Sequence, residues 1–186
     1  GIDRPTVGGM AGSASGTAGG PNGTYELRVT YGNSATGHES SASDTASATV
    51  GVSSHKIDVG SVPTSMDPQV DRRYVYVRNT ATQAFFYRAG TISDNTTTSI
   101  SLDFLDENLT VVAPSTVAND PPPSDAIYAV VHKDRMFVVT PTTLYYSQPG
   151  KPEAFNLTTN FERIDADSNQ KLIAAVSLNG LLAILK

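Results

Sequence analysis

The chain has no cysteine and no tryptophan among its 186 residues. Without thiols there is neither a disulfide framework nor a thiolate metal site, so stability has to come from packing or from association with other chains. Positive charge is scarce as well. Thirteen Lys and Arg against 18 Asp and Glu give a formal charge of −5, and the densest basic cluster is Arg72-Arg73. A phosphate-binding surface needs clustered Lys and Arg, so direct nucleic-acid binding is not expected. No apolar run approaches the roughly 20 residues that a membrane-spanning helix requires, and no membrane partner is expected either. Nor does any segment carry the 3,4-spaced apolar stripe of an amphipathic helix over three turns. The amino end lacks both Met and a basic-then-apolar secretory sequence. Gly1 therefore reads as a cut or cloning junction in a longer polypeptide.

What the chain does have is Val, Ile, Leu, Tyr, Phe and Ala for a core, with Thr, Ser, Asn, Gly and Pro for connections. That balance favours strands joined by turns and predicts an all-β class. Residues 1–21 are almost half Gly and Ala and offer no apolar face, which predicts a flexible arm. Thr24 to Tyr31 alternates Tyr25, Leu27, Val29 and Tyr31 with Glu26, Arg28 and Thr30, the period-2 pattern of a half-buried strand. The alternation returns over Ala46 to Ser53, and the two runs are expected to pair as a hairpin. Ile57 to Val62 reads as a short strand closed by Pro63. Arg72 to Arg78 is dense in β-formers and, with Ala84 to Ile92, predicts a second hairpin. Ser93 to Thr96 makes a turn, Thr98 to Phe104 a strand, and Leu109 to Val112 a short strand or the start of a linker.

Asp120-Pro121-Pro122-Pro123-Ser124 breaks any sheet, because three prolines remove three ladder donors. A sandwich domain is therefore expected over 22–113, a Pro-rich linker over 114–124 and a second sheet over 125–186. Strands are predicted at Ala126 to His132, Arg135 to Thr140, Leu144 to Ser147, Lys171 to Leu178 and Leu181 to Leu185. Asn179-Gly180 between the last two is the two-residue type I′ hairpin signal. The final strand shows little alternation, implying burial on both faces and neighbours from elsewhere.

Two segments carry a family resemblance. Tyr74-Val75-Tyr76-Val77-Arg78 with Phe86-Tyr87-Arg88-Ala89-Gly90-Thr91-Ile92-Ser93-Asp94-Asn95-Thr96-Thr97-Thr98 resembles a fibronectin-type-III-like module of phage virion proteins. Arg135-Met136-Phe137-Val138 followed by Leu144-Tyr145-Tyr146-Ser147-Gln148-Pro149-Gly150-Lys151-Pro152-Glu153-Ala154-Phe155 resembles the opening blade of the β-propeller that follows such modules in phage tail proteins. The resemblance implies a fibronectin-III/immunoglobulin-like β-sandwich, then an incomplete β-propeller-like antiparallel sheet over 125–186, the remaining blades lying downstream. It also implies a non-enzymatic virion protein assembled in the bacterial host cytoplasm. Its partners would be other phage virion subunits, with homo-oligomerisation in a ring.

Candidate chemistry is sparse. Asp165, Asp167 and Asn169 alternate as oxygen ligands do in a calcium loop, but Gln170 stands where that loop needs Gly and Val176 where it needs a bidentate Glu. A polar turn is the simpler reading, and no cofactor is expected. His38, His55 and His132 share no metal-triad spacing. No Gly-x-Ser-x-Gly elbow or phosphate-binding Gly loop occurs, and no catalytic residue is expected. The paired carboxylates of a glycosidase, the enzyme reading considered, are not visible. Sequons at Asn22, Asn95, Asn108 and Asn156 are what chance produces in so much Asn and Thr. Arg72, Arg73, Tyr74 and Tyr76 form either an exposed aromatic and guanidinium surface or, as the alternation favours, one face of a strand whose Val75 and Val77 enter the core. An exposed surface of that kind also suits the alternative function, a host-surface or carbohydrate-binding module. Because the ligand set at 165–169 is incomplete, a divalent-cation chelator is expected to leave the melting temperature unchanged. A fall of several degrees reversed by calcium would establish a site there.

Overall fold

The computed structural model describes residues 1–46, 48–164 and 170–186. The chain is all-β, and the 3-10 turn Asp106–Asn108 is the one helical element among the described residues. It divides into two compact units, 2–116 and 117–186, the second grouped with Gly1.

The first unit is one antiparallel sheet of β1 (Ala11–Gly32), β2 (Val50–Gly60), β3 (Arg72–Asn79), β4 (Tyr87–Ile92) and β5 (Ile100–Leu102), in the order β4-β3-β1-β2-β5. The sheet curls until its outer strands β4 and β5 touch, so its halves face each other over one core as in a sandwich. Period-2 alternation supplies that core. Tyr25, Leu27 and Val29 of β1, Val50, Val52, Ile57 and Val59 of β2, Val75 and Val77 of β3, Ile92 and Leu102 all point inward. Each such side chain, fully buried, stabilises by about 1.5–3 kcal/mol. Tyr25 also ties β1 to the 3-10 turn: its hydroxyl accepts the Asn22 N–H at 3.1 Å within the strand and donates to Asp106 at 2.9 Å.

Residues 1–21 are not a loose arm. β1 begins at Ala11, and Ala11 to Tyr25 pairs with Val50 to Gly60 through two register shifts. Ile2 packs on Tyr31 and Val70, and Met10 joins the main core. The small residues that argued against a packed face are what let backbone meet backbone. A Cβ on Gly20 would lie 2.3 Å from the Phe104 carbonyl oxygen, a closeness only glycine permits.

The expected hairpin of Thr24 to Tyr31 with Ala46 to Ser53 forms only at the rungs from Asn22/Ser53 to Tyr25/Val50. From Tyr25 onward one edge of β1 pairs with β3. Its other edge is met by an irregular segment in which every third residue faces the strand. Ser40, Ser43 and Ala46 donate backbone N–H groups to Tyr31, Val29 and Leu27, while the Ser40 and Ser43 hydroxyls accept the N–H groups of Tyr31 and Val29. Period three against period two is reconciled by side-chain oxygens standing in for carbonyls. The hairpin of β3 with β4 forms as expected, with a register shift after Val75.

Arg73 ties these pieces together. Its guanidinium has no solvent exposure and donates to the carbonyls of Val62, Pro63, Asp94 and Thr97 and to the Asp94 carboxylate. Asp94 in turn accepts the Thr96 and Thr97 N–H groups at 2.8 and 2.7 Å. Asn95 clamps the backbone of Ser65 through both ends of its amide.

In the second unit β6 (Tyr128–His132), β7 (Arg135–Val139), β8 (Thr143–Gln148) and β10 (Phe161–Arg163) form an antiparallel sheet in the order β10-β8-β7-β6. β9 (Lys151–Phe155) pairs with the end of β8 across the turn Pro149-Gly150. Buried Ser147 accepts the Met136 N–H at 3.0 Å, filling a gap in the ladder between β7 and β8. β11 (Ala174–Leu178) and β12 (Leu181–Leu185) form the expected hairpin, with φ of 49° at Asn179 and 80° at Gly180 as a type I′ turn demands. Its inner face packs on the larger sheet, where Leu172 and Ala175 meet Val139 and Leu144, with Leu182 and Ile184 alongside.

The stretch 114–124 is not a free spacer over its whole length. Ser115 accepts the Ala42 N–H within the first unit, and Asp120 exchanges two backbone hydrogen bonds with Phe155 in the second. No helix among the described residues is long and apolar enough to cross a membrane.

Asp94 makes the first unit sensitive to acid. The Thr97 hydroxyl, the Thr97 and Thr96 N–H groups and the Arg73 guanidinium hold its carboxyl well below the usual carboxylate range. A depressed folded pKa contributes stability that is fully present above the ordinary aspartate value of about 4 and is lost as pH falls through the folded one. Urea unfolding between about pH 5 and pH 2 is expected to show an acid-dependent loss of stability that Asp94→Asn reduces. An unchanged pH slope in that variant would contradict the assignment.

Candidate interaction surface

The sheet of the first unit has a second face, and the same alternation that fills the core sets its composition. Glu26, Arg28 and Thr30 of β1 lie beside Tyr74, Tyr76 and Arg78 of β3, and the register places Arg28 opposite Tyr76 and Glu26 opposite Arg78. The register shift after Val75 sends Ala89 to the core and brings Arg88 of β4 opposite Tyr76. Arg28, Tyr76 and Arg88 therefore form one row across three adjacent strands.

Aromatic rings hold the guanidiniums. Arg28 and Arg78 lie 4.3 and 5.3 Å from the centroid of the buried Phe86 ring, and Arg88 lies 4.8 Å from that of Tyr74. Such contacts contribute about 0.5–1 kcal/mol at exposed sites and more where water is excluded. Arg78 is neutralised by Glu26 through a contact of 2.6 Å. Arg28 donates from Nε to the Thr45 hydroxyl at 3.1 Å. Burial, and secondarily the charge of Arg78, pulls the pKa of the Arg28 guanidinium down, while Asp44 and Glu26 oppose that. Over the same face lies Glu39, whose Oε1 accepts hydrogen bonds from the hydroxyls of Thr30 and Tyr76, both at 2.5 Å and both from fully buried residues. Burial, reinforced by the Glu39 charge, drives the Tyr76 phenol far above its ordinary pKa, so it stays a donor.

Around the four residues singled out from the sequence, Arg72, Arg73, Tyr74 and Tyr76, the neighbours Val75 and Val77 take the core side as expected and Tyr74 the other. Arg73, however, points into the core and is wholly buried, and Tyr76 is covered on its own face. Only Arg72 and Tyr74 keep partial exposure. Arg28, Glu39, Phe86 and Arg88 were not marked by the sequence as parts of one site. Their grouping depends on cross-strand register and on the shift at Ala89, which no local pattern encodes.

Asp165, Asp167 and Asn169 lie outside the described residues. Among the described residues no three His, Asp or Glu side chains are grouped to hold a metal ion. The histidines are scattered: His38 is buried ahead of Ser40, His55 sits in β2 with Nδ1 at 2.6 Å from the Ser53 carbonyl, and His132 sits in β6. His132 Nδ1 lies 2.8 Å from the Ser177 hydroxyl, and its ring meets Phe137 edge-on at 6.0 Å. The Ser-His pair joins β11 to β6, and no described carboxylate hydrogen-bonds to the ring to orient it as a triad would.

Comparison with protein-family models, with curated proteins and with solved structures returns no match. Fold and surface together define an all-β chain with one apolar core face and one aromatic and guanidinium face on the same sheet.

The Glu39 contacts are individually testable. Tyr76→Phe and Thr30→Val are each expected to cost about 1.5–3 kcal/mol, the range for hydrogen bonds to a charged group. Because both hydroxyls serve one oxygen, the double variant is expected to cost a different amount from the sum of the singles. Strict additivity in urea denaturation would mean that the carboxylate does not couple them.

Proposed function

We propose that the chain is a non-catalytic structural component of a bacteriophage tail or head-tail assembly, acting through subunit contacts in the virion and present as several copies in a ring. The resemblance of 74–98 and 135–155 to phage modules supports this reading, and the all-β architecture is compatible with it. The observation that carries it is the outer face of the hairpin of β11 and β12. Val176, Leu178, Leu181 and Leu185 are 41, 61, 73 and 45% exposed, although the opposite face of the same hairpin is packed. A two-stranded unit apolar on both sides calls for a further layer, since contiguous exposed apolar surface marks association sites. The resemblance assigns that layer to further propeller blades, and a neighbouring copy offers the same chemistry. No residue is given a catalytic role.

The alternative, a host-surface or carbohydrate-binding module, draws on the half-exposed Tyr74 under Arg88 and on Phe85, 58% exposed. Sedimentation velocity over a concentration series separates the two. Concentration-dependent association is expected, and Leu178→Lys with Leu181→Lys is expected to weaken it while the first unit stays folded. A clean monomer at high concentration together with specific binding on a glycan array would replace the structural reading with the alternative.

A further inference from the structure

The two strands of the last hairpin are placed differently. β11 is tied to β6, where the Ser177 hydroxyl meets His132 Nδ1 at 2.8 Å, whereas among the described residues no strand pairs with the far side of β12. The register fixes which backbone groups are left over on that side. A two-residue turn makes Leu178 and Leu181 a hydrogen-bonded pair, and the alternation that follows turns the N–H and C=O groups of Leu181, Ala183 and Leu185 toward β11. In agreement, the Leu185 carbonyl accepts the Ile173 N–H at 2.9 Å just before β11. Leu182 and Ile184 therefore aim their backbone groups away from β11, along a free edge. Sheet edges are commonly guarded by charge, proline or a bulge. Leu181-Leu182-Ala183-Ile184-Leu185 contains no charged residue, no proline and no register shift against β11.

We infer that the free edge of β12 pairs antiparallel with β12 of a second copy of this chain, centred on Ala183. The inference rests on the subunit-contact reading above and names the contact and its register. Three observations carry it. With Ala183 opposite its own copy, Leu182 of each chain stands opposite Ile184 of the other, and all four residues exchange their outward N–H and C=O groups in four hydrogen bonds. A register moved by two residues keeps only two of these within the strand, and one moved by a single residue sets packed side chains on the same face as exposed ones. The five residues also read nearly alike in both directions, so apolar meets apolar at every rung, and Lys186 falls opposite Gly180 and not opposite a like charge. Finally, Leu181 stands opposite Leu185 in a non-hydrogen-bonded pair, the arrangement in which side chains come closest. These two residues, 73 and 45% exposed, cover each other twice around a small central alanine. The contact is isologous and joins copies in pairs, so a ring requires a second, different contact.

The chain has no cysteine, so single thiols introduced into the full chain report the register under oxidised glutathione. The proposed pairing sets the two Ala183 Cα atoms about 4.5 Å apart, within disulfide range, whereas Leu181 stands four positions, about 13 Å, along the strand from its own copy. Ala183→Cys is expected to give a linked dimer. Leu181→Cys and Leu185→Cys are each expected to stay unlinked alone and to give a mixed dimer when combined. In the unmodified chain, amide exchange at Leu182 and Ile184 is expected to slow as concentration rises, while that at Ala183, bonded toward β11, is slow at every concentration. That measurement decides the matter if a variant folds poorly. Exchange at Leu182 and Ile184 that ignores concentration, failure of the folded Ala183→Cys chain to link, or linkage of Leu181→Cys or Leu185→Cys alone at the same rate would each overturn the inference. The two proposals fail separately. Concentration-dependent sedimentation without protection at Leu182 and Ile184 removes the strand pair alone, and a dimer that links through Ala183→Cys but never grows larger removes the ring assembly alone.

Discussion

The first unit depends on a cation placed where water cannot reach it. A guanidinium taken out of water costs several kcal/mol unless its donors are met, and Arg73 meets them with four carbonyls and one carboxylate drawn from two separate stretches of chain. Those stretches are the exit from β2 and the turn between β4 and β5, and Arg73 fastens both to its own strand β3. Their mutual positions are thereby fixed by one planar group, whose donor directions admit little variation. Asp94 has a double role, anchoring the guanidinium and closing its own turn through Thr96 and Thr97. Asn95, next in the chain, fastens the same turn to Ser65. The curl that brings β4 near β5 is set by this polar node at one end and by the apolar row of β1, β2 and β3 along its length.

How much of this could be read from the sequence varied with the physics of each segment. Alternation identified Tyr25 to Tyr31, because there a two-residue period is imposed by burial on one face, and the density of β-forming residues identified the hairpin of β3 with β4. Asn179-Gly180 announced its turn through a backbone requirement that few other pairs satisfy. Ala11 to Gly20 gave no such sign, since its place in the sheet comes from close backbone approach to partners and not from side chains of its own. Lys151 to Phe155, with Pro and Glu inside it, does not look like a strand, and it is held by the tight turn at Pro149-Gly150 and by the exchange with Asp120. Arg73 was the hardest. A charged residue two positions from Val75 looks like a surface residue until the acceptors supplied by Val62, Pro63, Asp94 and Thr97 are known, and these lie 10 to 24 positions away. The second face was half legible: its residue types followed from the alternation, its rows from a register that only the folded chain reveals.

The two faces of one sheet thus divide the work. The inner face is apolar and stabilises, whereas the outer face is assembled from rings, guanidiniums and the carboxylates of Glu26 and Glu39. The second unit repeats the division in another form, with a hairpin buried on one side and apolar on the other. Both features point outward from their own unit.

The segment Ser40 to Ala46 has a consequence for how growth of the sheet stops. A regular strand offers on its free side the same ladder it uses on its paired side, so one strand templates the next. Here the paired side is served at every third residue, partly by hydroxyls, and on the other side Ala42 gives its N–H to Ser115, so the segment offers no regular ladder in register with another strand. The sheet is sealed at that margin by a mismatch of repeat lengths, with no need of lysine or proline as a guard.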